Sequence, residues 1–308
     1  MSNKKYYVLE RRDMARPFKK ALLDAGYRKT TDPDEADFLL YDLEQEHYIP
    51  ILKEFAERRK PIFVYPHSAN SWYFWDGFHK EFPVTCNFVF TREIKNAMIS
   101  YGYKSRIEQC GFSCGEVIGW RSMREKTLLF APMHTMGSVS QDYLRCPASF
   151  ELNRKALERV FELAPLFKKI TIRYGRSFSA SGMYDPQIPN VVFEEADLKI
   201  KDAMASINRH SVVISAGTLA YLAVARGKPT IFYNQRDQPP REDGMTVKNY
   251  KRYKWIDYPI QLFDMSNNMI SNFVVKQNPD VERWKKANIG STFSASRFLS
   301  IIRECVKE

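Results

Sequence analysis

The stretch Val212-Val213-Ile214-Ser215-Ala216-Gly217-Thr218-Leu219-Ala220-Tyr221-Leu222-Ala223-Val224-Ala225-Arg226-Gly227-Lys228-Pro229-Thr230-Ile231 decides the fold class. An apolar, β-branched run ends in a turn of small residues. A short segment of helix-forming residues follows and stops at Gly227, and a second β-branched run opens at Thr230. Strand, turn, helix and strand in this order make the βαβ unit of a parallel sheet. Gly217 lets the backbone approach a ligand closely, and the helix behind it offers unpaired N–H groups and the positive end of a dipole. A diphosphate suits that position, with the Ser215 and Thr218 hydroxyls as further donors. The alternative is an ordinary strand-to-helix connection capped by Thr218. The spacing is neither a G-x-G-x-x-G fingerprint nor a Walker A loop: Gly227-Lys228 lacks the upstream glycine and runs into Pro229.

The same alternation extends outward in both directions. Apolar runs at 6–9, 38–41, 61–65, 88–90 and 107–110 predict strands in the first half. Between them lie a helix capped by Asp13 and closed by Gly26, a helix from about 49 ending in Arg58-Arg59-Lys60, and one capped by Thr91 that ends near Gly102. The second half repeats the pattern, with strands at 127–131, 170–173, 191–193, 211–215 and 230–233 and helices at 151–164, 199–207 and 219–225. A last helix, with Phe298, Leu299, Ile301 and Ile302, spans 295–306. The rhythm restarts near 127, after the polar run Arg121-Ser122-Met123-Arg124-Glu125-Lys126. The predicted class is therefore α/β, with two Rossmann-like domains facing each other across a cleft. Their expected spans are 1–122, 123–290 and, for a terminal helix packing back on the first domain, 291–308. Residues 236–256 read as a long polar loop, and loops of such length in compact domains are usually functional.

At 308 residues the chain exceeds one small domain, and 44% hydrophobic with 27% charged residues excludes a largely disordered polymer. No apolar run is long enough for a membrane span, and residues 1–10 lack the core of a signal peptide. The cysteines Cys86, Cys110, Cys114, Cys146 and Cys305 are odd in number and scattered, which disfavours a disulfide scaffold or a zinc site and fits the cytoplasm. Lys and Arg number 47 against 36 Asp and Glu, so the net charge of +11 points to an anionic partner. Plain solubility is the competing explanation.

The small-residue turn, the helix and the "ARGKPTI" stretch resemble the donor-binding half of GT-B glycosyltransferases, a group related to cell-wall glycerophosphate and sugar transferases and to sugar-nucleotide epimerases. Phe90-Thr91-Arg92-Glu93-Ile94 to Gly102, followed by 107–111, is similar to the last helix and strand of their N-terminal domain. Leu128-Leu129-Phe130-Ala131-Pro132 is similar to the strand that opens their C-terminal domain. The resemblance covers most of the chain. It implies a nucleotide-sugar co-substrate held by the second domain and an acceptor held by the first. Many members carry a Glu three residues after the turn Ser or Thr, where it holds the ribose hydroxyls; here that position is Tyr221.

The remaining candidates follow from position. His67 comes just after the third strand, at the edge where open α/β sheets bind ligands, and an imidazole there can take an acceptor's proton. Several of the resembling transferases place a His after that strand. His134 follows the first strand of the second half and should face the same cleft. Arg173 and Arg176 flank Tyr174-Gly175 after another strand, where a guanidinium can neutralise a departing diphosphate. Glu194-Glu195 lies where this fold would seat the nucleobase, and reads equally as an exposed turn. Asp32-Pro33-Asp34 matches the DxD string of a metal-dependent class of glycosyltransferases, but stands before Glu35-Ala36 with no active-site strand behind it. It reads as a helix cap, and no essential metal is expected.

Ser71-Trp72-Tyr73-Phe74-Trp75 places four aromatics in a row, which cannot all share one buried face; Trp72 and Trp75 are candidates for the acceptor side. Val247-Lys248-Asn249-Tyr250-Lys251-Arg252-Tyr253-Lys254-Trp255 mixes cations with rings, as phosphate contacts plus stacking require. A solvated loop packed by its own rings is the alternative for Lys248, Lys251, Arg252 and Lys254. The basic, aromatic chain without a membrane anchor resembles the DNA-modifying glucosyl- and arabinosyltransferases of tailed phages in layout. That implies a hydroxymethylated base in DNA as acceptor, in the host cytoplasm if the gene is a phage's. A cell-surface polymer or lipid-linked acceptor is the second class, and a non-catalytic binding module of the same fold the third.

Overall fold

The computed structural model describes residues 4–9, 15–42, 48–66, 83–121, 125–132, 147–174, 188–195, 200–233 and 258–306. The chain divides into two compact units, Met1–Val117 with Lys286–Glu308, and Ile118–Lys285.

In the first unit, Phe38-Leu39-Leu40-Tyr41 is apolar at every position, as a strand covered by helices on both faces must be. It forms β3 (Phe38–Tyr41) and pairs in parallel with β1 (Lys5–Leu9) on one side and β4 (Ile62–Val64) on the other. β2 (Arg28–Lys29), β5 (Cys86–Val89) and β6 (Arg106–Gln109) complete a parallel sheet of order β2-β1-β3-β4-β5-β6. Helices α1 (Arg16–Asp24), α2 (Ile49–Glu57) and α3 (Arg92–Tyr101) connect the strands. α3 starts where Thr91 Oγ1 accepts the Ile94 amide at 3.2 Å, and it ends at Gly102. The last helix, α9 (Ala295–Cys305), packs on α1: the Phe298 ring meets Phe18 at 5.1 Å and Phe88 at 5.0 Å, both edge-on.

Asp32-Pro33-Asp34 caps no helix. The Asp34 amide donates to Asp32 Oδ1 at 2.9 Å in a turn that leads into β3, and Asp34 itself pairs with Arg58 at 2.6 Å. The expected cap Asp13 lies outside the described residues; α1 begins after Ala15 without a side-chain cap.

The second unit holds β7 (Thr127–Ala131), β8 (Lys169–Tyr174), β9 (Val191–Glu195), β10 (Val212–Ser215) and β11 (Thr230–Phe232), all parallel, in the order β11-β10-β7-β8-β9. Helices α4 (Pro147–Glu162), α5 (Ile200–Arg209), α6 (Thr218–Ala225), α7 (Asn267–Phe273) and α8 (Pro279–Asn288) accompany them, α8 running across the boundary between the units. The core between sheet and helices is built from Leu128, Phe130, Leu157, Val160, Ile170, Ile172, Val212 and Ile214. Segment 118–121 lies against the turn after α6. The Ile118 amide donates to Ala225 O at 2.7 Å, and Arg121 N to Gly227 O at 2.9 Å. A Cβ on Gly227 would stand 1.9 Å from Gly119 O, so glycine is required there for contact as well as for its φ of +69°.

Cys86, Cys110 and Cys114 are buried free thiols; burial pushes Cys86 and Cys114 up to about 12, which keeps them unreactive.

Candidate functional site

In the second unit the chain runs from β7 to β8 and β9 on one side, then returns to β10 on the other. The sheet therefore reverses its winding between β7 and β10. Open α/β sheets bind ligands beyond the carboxyl ends of two such strands, because the loops there leave toward opposite faces and open a crevice. Ala131 ends β7 and Ser215 ends β10, and the two are register partners. The Ser215 hydroxyl, 1% exposed, donates to Ala131 O at 2.8 Å. It clips the two strands together at the reversal, so its proton is turned into the sheet rather than toward the turn that follows.

That turn is Ala216-Gly217. Gly217 has φ +82° and ψ −153°, a conformation that residues with a Cβ rarely adopt. A Cβ built on it meets nothing within 4 Å, so the space above this backbone is open. α6 starts at Thr218, which is half-buried. The amides of Ala220 and Tyr221 return to Gly217 O at 3.1 and 3.4 Å. Those of Thr218 and Leu219, as at any helix start, have no intrahelical acceptor. A glycine turn, open space and a helix N-terminus thus coincide at the switch point of the sheet, and the combination suits an anion.

Tyr221 is fully buried, its ring 5.0 Å from Trp284 and 5.7 Å from Phe232. The position at which the resembling enzymes carry a ribose-binding Glu faces the core. Arg173, at the end of β8, is 7% exposed, and its Nη2 donates to Asp202 Oδ2 at 2.5 Å in the first turn of α5. Its guanidinium ties α5 to the sheet. Glu194 pairs with Arg209 at 2.6 Å on the side chain of β9.

Lys228 lies at the opposite edge, before β11. Its Nζ donates to His210 O at 2.8 Å, and burial, with Arg226 and Arg121 nearby, lowers it to about 8. His210 is held between Ser206 O at 2.7 Å and Thr171 Oγ1 at 2.8 Å, and burial favours its neutral form. Both belong to the packing of α5.

His67, Trp72, Trp75, His134, Arg176, Lys248, Lys251, Arg252 and Lys254 lie outside the described residues. Among the described residues, no group of three or more His, Cys, Asp or Glu side chains is placed to hold a metal ion.

No family model matches the chain, and no curated protein matches its sequence. Solved structures do match. The co-structure of S. aureus MnaA with UDP superimposes with a TM-score of 0.63 at 10% identity, covering 98% of this chain and 96% of that one. The fold is GT-B. A putative UDP-N-acetylglucosamine 2-epimerase from Listeria monocytogenes gives 0.58 at 13% identity, over 100% and 97% of the two chains. The glycotransferase of kitacinnamycin gives 0.54 at 12% identity, over 99% and 100%. The GT-B architecture thus runs the length of the chain, at identities where likeness speaks for the fold alone.

One residue at a comparable place in the first unit escaped the sequence reading. Asp42 directly follows β3 and is 3% exposed. Its only sequence signal is a lone acid after four apolar residues.

Proposed function

We propose that this chain is a glycosyltransferase that moves a sugar from a nucleotide sugar to a hydroxyl acceptor, with a hydroxymethylated base in DNA as the acceptor. The observation that carries it is the Gly217 turn with open space above it, at the switch point where α6 begins. The UDP held by MnaA and the sugar-nucleotide chemistry named for the Listeria protein support a nucleotide sugar as the ligand. The kitacinnamycin glycotransferase supports transfer as one reaction this fold performs.

On this reading the second unit binds the donor. Its diphosphate lies against the amides after Gly217, with the Thr218 hydroxyl beside it and Arg176 supplying positive charge. Ser215 shapes the turn by holding β10 to β7. Arg173 takes part only if it leaves Asp202. As the bond to the sugar breaks, negative charge grows on the leaving diphosphate, and fixed dipoles and guanidinium groups stabilise it without reorganising. The first unit carries the acceptor side, with His67 and His134 as the candidates from sequence for moving the acceptor's proton. Trp72 and Trp75 would hold an extruded base, which an enzyme acting on duplex DNA must expose. Lys248, Lys251, Arg252 and Lys254 would meet phosphates. No metal is assigned, and the reaction belongs in the cytoplasm.

The buried Tyr221 favours a second reading, a binding module that kept the fold and lost ribose recognition. A panel of nucleotide sugars assayed for thermal stabilisation, followed by label transfer to duplex DNA containing hydroxymethylcytosine, separates the two. Stabilisation with transfer supports the proposal. Stabilisation without transfer to DNA or any hydroxyl acceptor leaves the module, and no stabilisation by any nucleotide sugar overturns both.

A further inference from the structure

The first unit has a switch point of its own. From β1 the chain goes to β2 on one side, then crosses back to β3 on the other, so the winding reverses between β1 and β3. Leu9 and Tyr41, the last residues of those strands, are register partners. Tyr41 O also accepts the Tyr65 amide at 3.0 Å, so the end of β3 is held from both sides. The next residue is Asp42.

Among the described residues, Asp42 is the one buried carboxylate. The other acids of this unit that make ion pairs do so at or near the surface: Asp24 with Lys20, Asp34 and Glu54 with Arg58, Glu35 with Lys5, Glu304 with Arg106. Asp residues are almost never fully buried without a use or a partner that compensates the lost hydration. This one stands where the topology opens a crevice at the carboxyl end of the sheet.

We propose that Asp42 is the base of the transfer reaction, the residue that takes the proton from the acceptor hydroxyl. The proposal rests on the glycosyl-transfer reading above. In the step, the acceptor O–H bond breaks and its proton goes to a carboxylate oxygen of Asp42. The acceptor oxygen bonds to the anomeric carbon. The bond from that carbon to the diphosphate breaks, and its electron pair leaves with the nucleoside diphosphate. This gives Asp42 the task expected of His67, which comes three residues after β4, a strand away from the switch point.

The test compares Asp42→Asn with His67→Ala, using the nucleotide sugar that most stabilises the unaltered protein and duplex DNA containing hydroxymethylcytosine. Asp42→Asn should lower kcat by roughly 10²–10⁴. UDP affinity by titration calorimetry should stay within about twofold, since the donor turn lies in the other unit. If Asp42→Asn does not fold, Asp42→Glu keeps the carboxylate but displaces it by a methylene. It should still bind UDP and transfer slowly. Transfer by either variant within about threefold of the unaltered protein overturns the proposal, as does loss confined to His67→Ala. Loss of UDP binding in parallel with transfer makes Asp42 structural and overturns it too. An unaltered protein that binds no nucleotide sugar overturns the glycosyl-transfer reading itself.

Discussion

Gly217 is where a single residue carries most of the functional argument. Its backbone lies in a region that a Cβ disfavours, while the space above it is open. Gly217→Val therefore strains the turn by about 1–3 kcal/mol and fills the approach to the amides of α6. We expect UDP affinity by titration calorimetry to fall at least tenfold while the far-ultraviolet circular dichroism stays that of the unaltered protein. Unchanged affinity would move the donor elsewhere. Lys228 gives a prediction of a different kind. Its folded-state pKa of about 8 lies below the ordinary lysine value, so between the two the unfolded chain binds more protons than the folded one. Below about 8 the folded state carries a buried charge that opposes folding. This opposition is relieved as pH rises toward the unfolded value, by at most about 1.4 kcal/mol per pH unit. Lys228→Met should lose that alkaline gain in denaturant titrations, while being less stable overall because His210 O loses its donor. Equal pH slopes for the two proteins would contradict the account.

At the scale of elements, the last helix tests how the first unit holds together. Phe298 is fully buried and meets Phe18 of α1 and Phe88 of β5. Phe298→Ala should destabilise by about 3–5 kcal/mol and raise amide exchange in both α1 and α9. A loss under 1 kcal/mol, by the same scale, would mean that the cluster collapses to fill the space. The strands were legible because their side chains are apolar on both faces, and α3 because Thr91 and Gly102 are a local start and stop. β2 escaped notice because two exposed residues, Arg28 and Lys29, carry no apolar pattern. The helices α7 and α8 escaped because they are short and polar, with few residues facing the core.

For the whole molecule, the +11 charge and the cation-rich stretch 248–254 lead to a binding experiment. If the acceptor is DNA, binding of the full chain to duplex DNA should weaken steeply from low to moderate salt, since each phosphate neutralised releases counterions. Lys251→Ala with Arg252→Ala should weaken binding and flatten the salt slope by about two contacts' worth. Duplex DNA left unbound at low salt would return the charge to solubility and favour a cell-surface acceptor.

The sequence by itself determined the alternation of strand and helix, the parallel α/β class, the Thr91 cap and the glycine turn after β10. Each depends on residues within a few positions of one another, and local patterning carries that information. Only the tertiary structure decided which strands lie side by side, and so where each sheet reverses its winding. It turned the Ser215 hydroxyl into the sheet, locked Arg173 onto Asp202, sent Tyr221 into the core, and buried Asp42 beside β1 and β4. The partners in these contacts lie far apart in sequence: 84 residues separate Ser215 from Ala131, and 29 separate Arg173 from Asp202. Neither residue's own neighbourhood in the chain specifies the other, because what joins them is the direction each connection takes across the sheet.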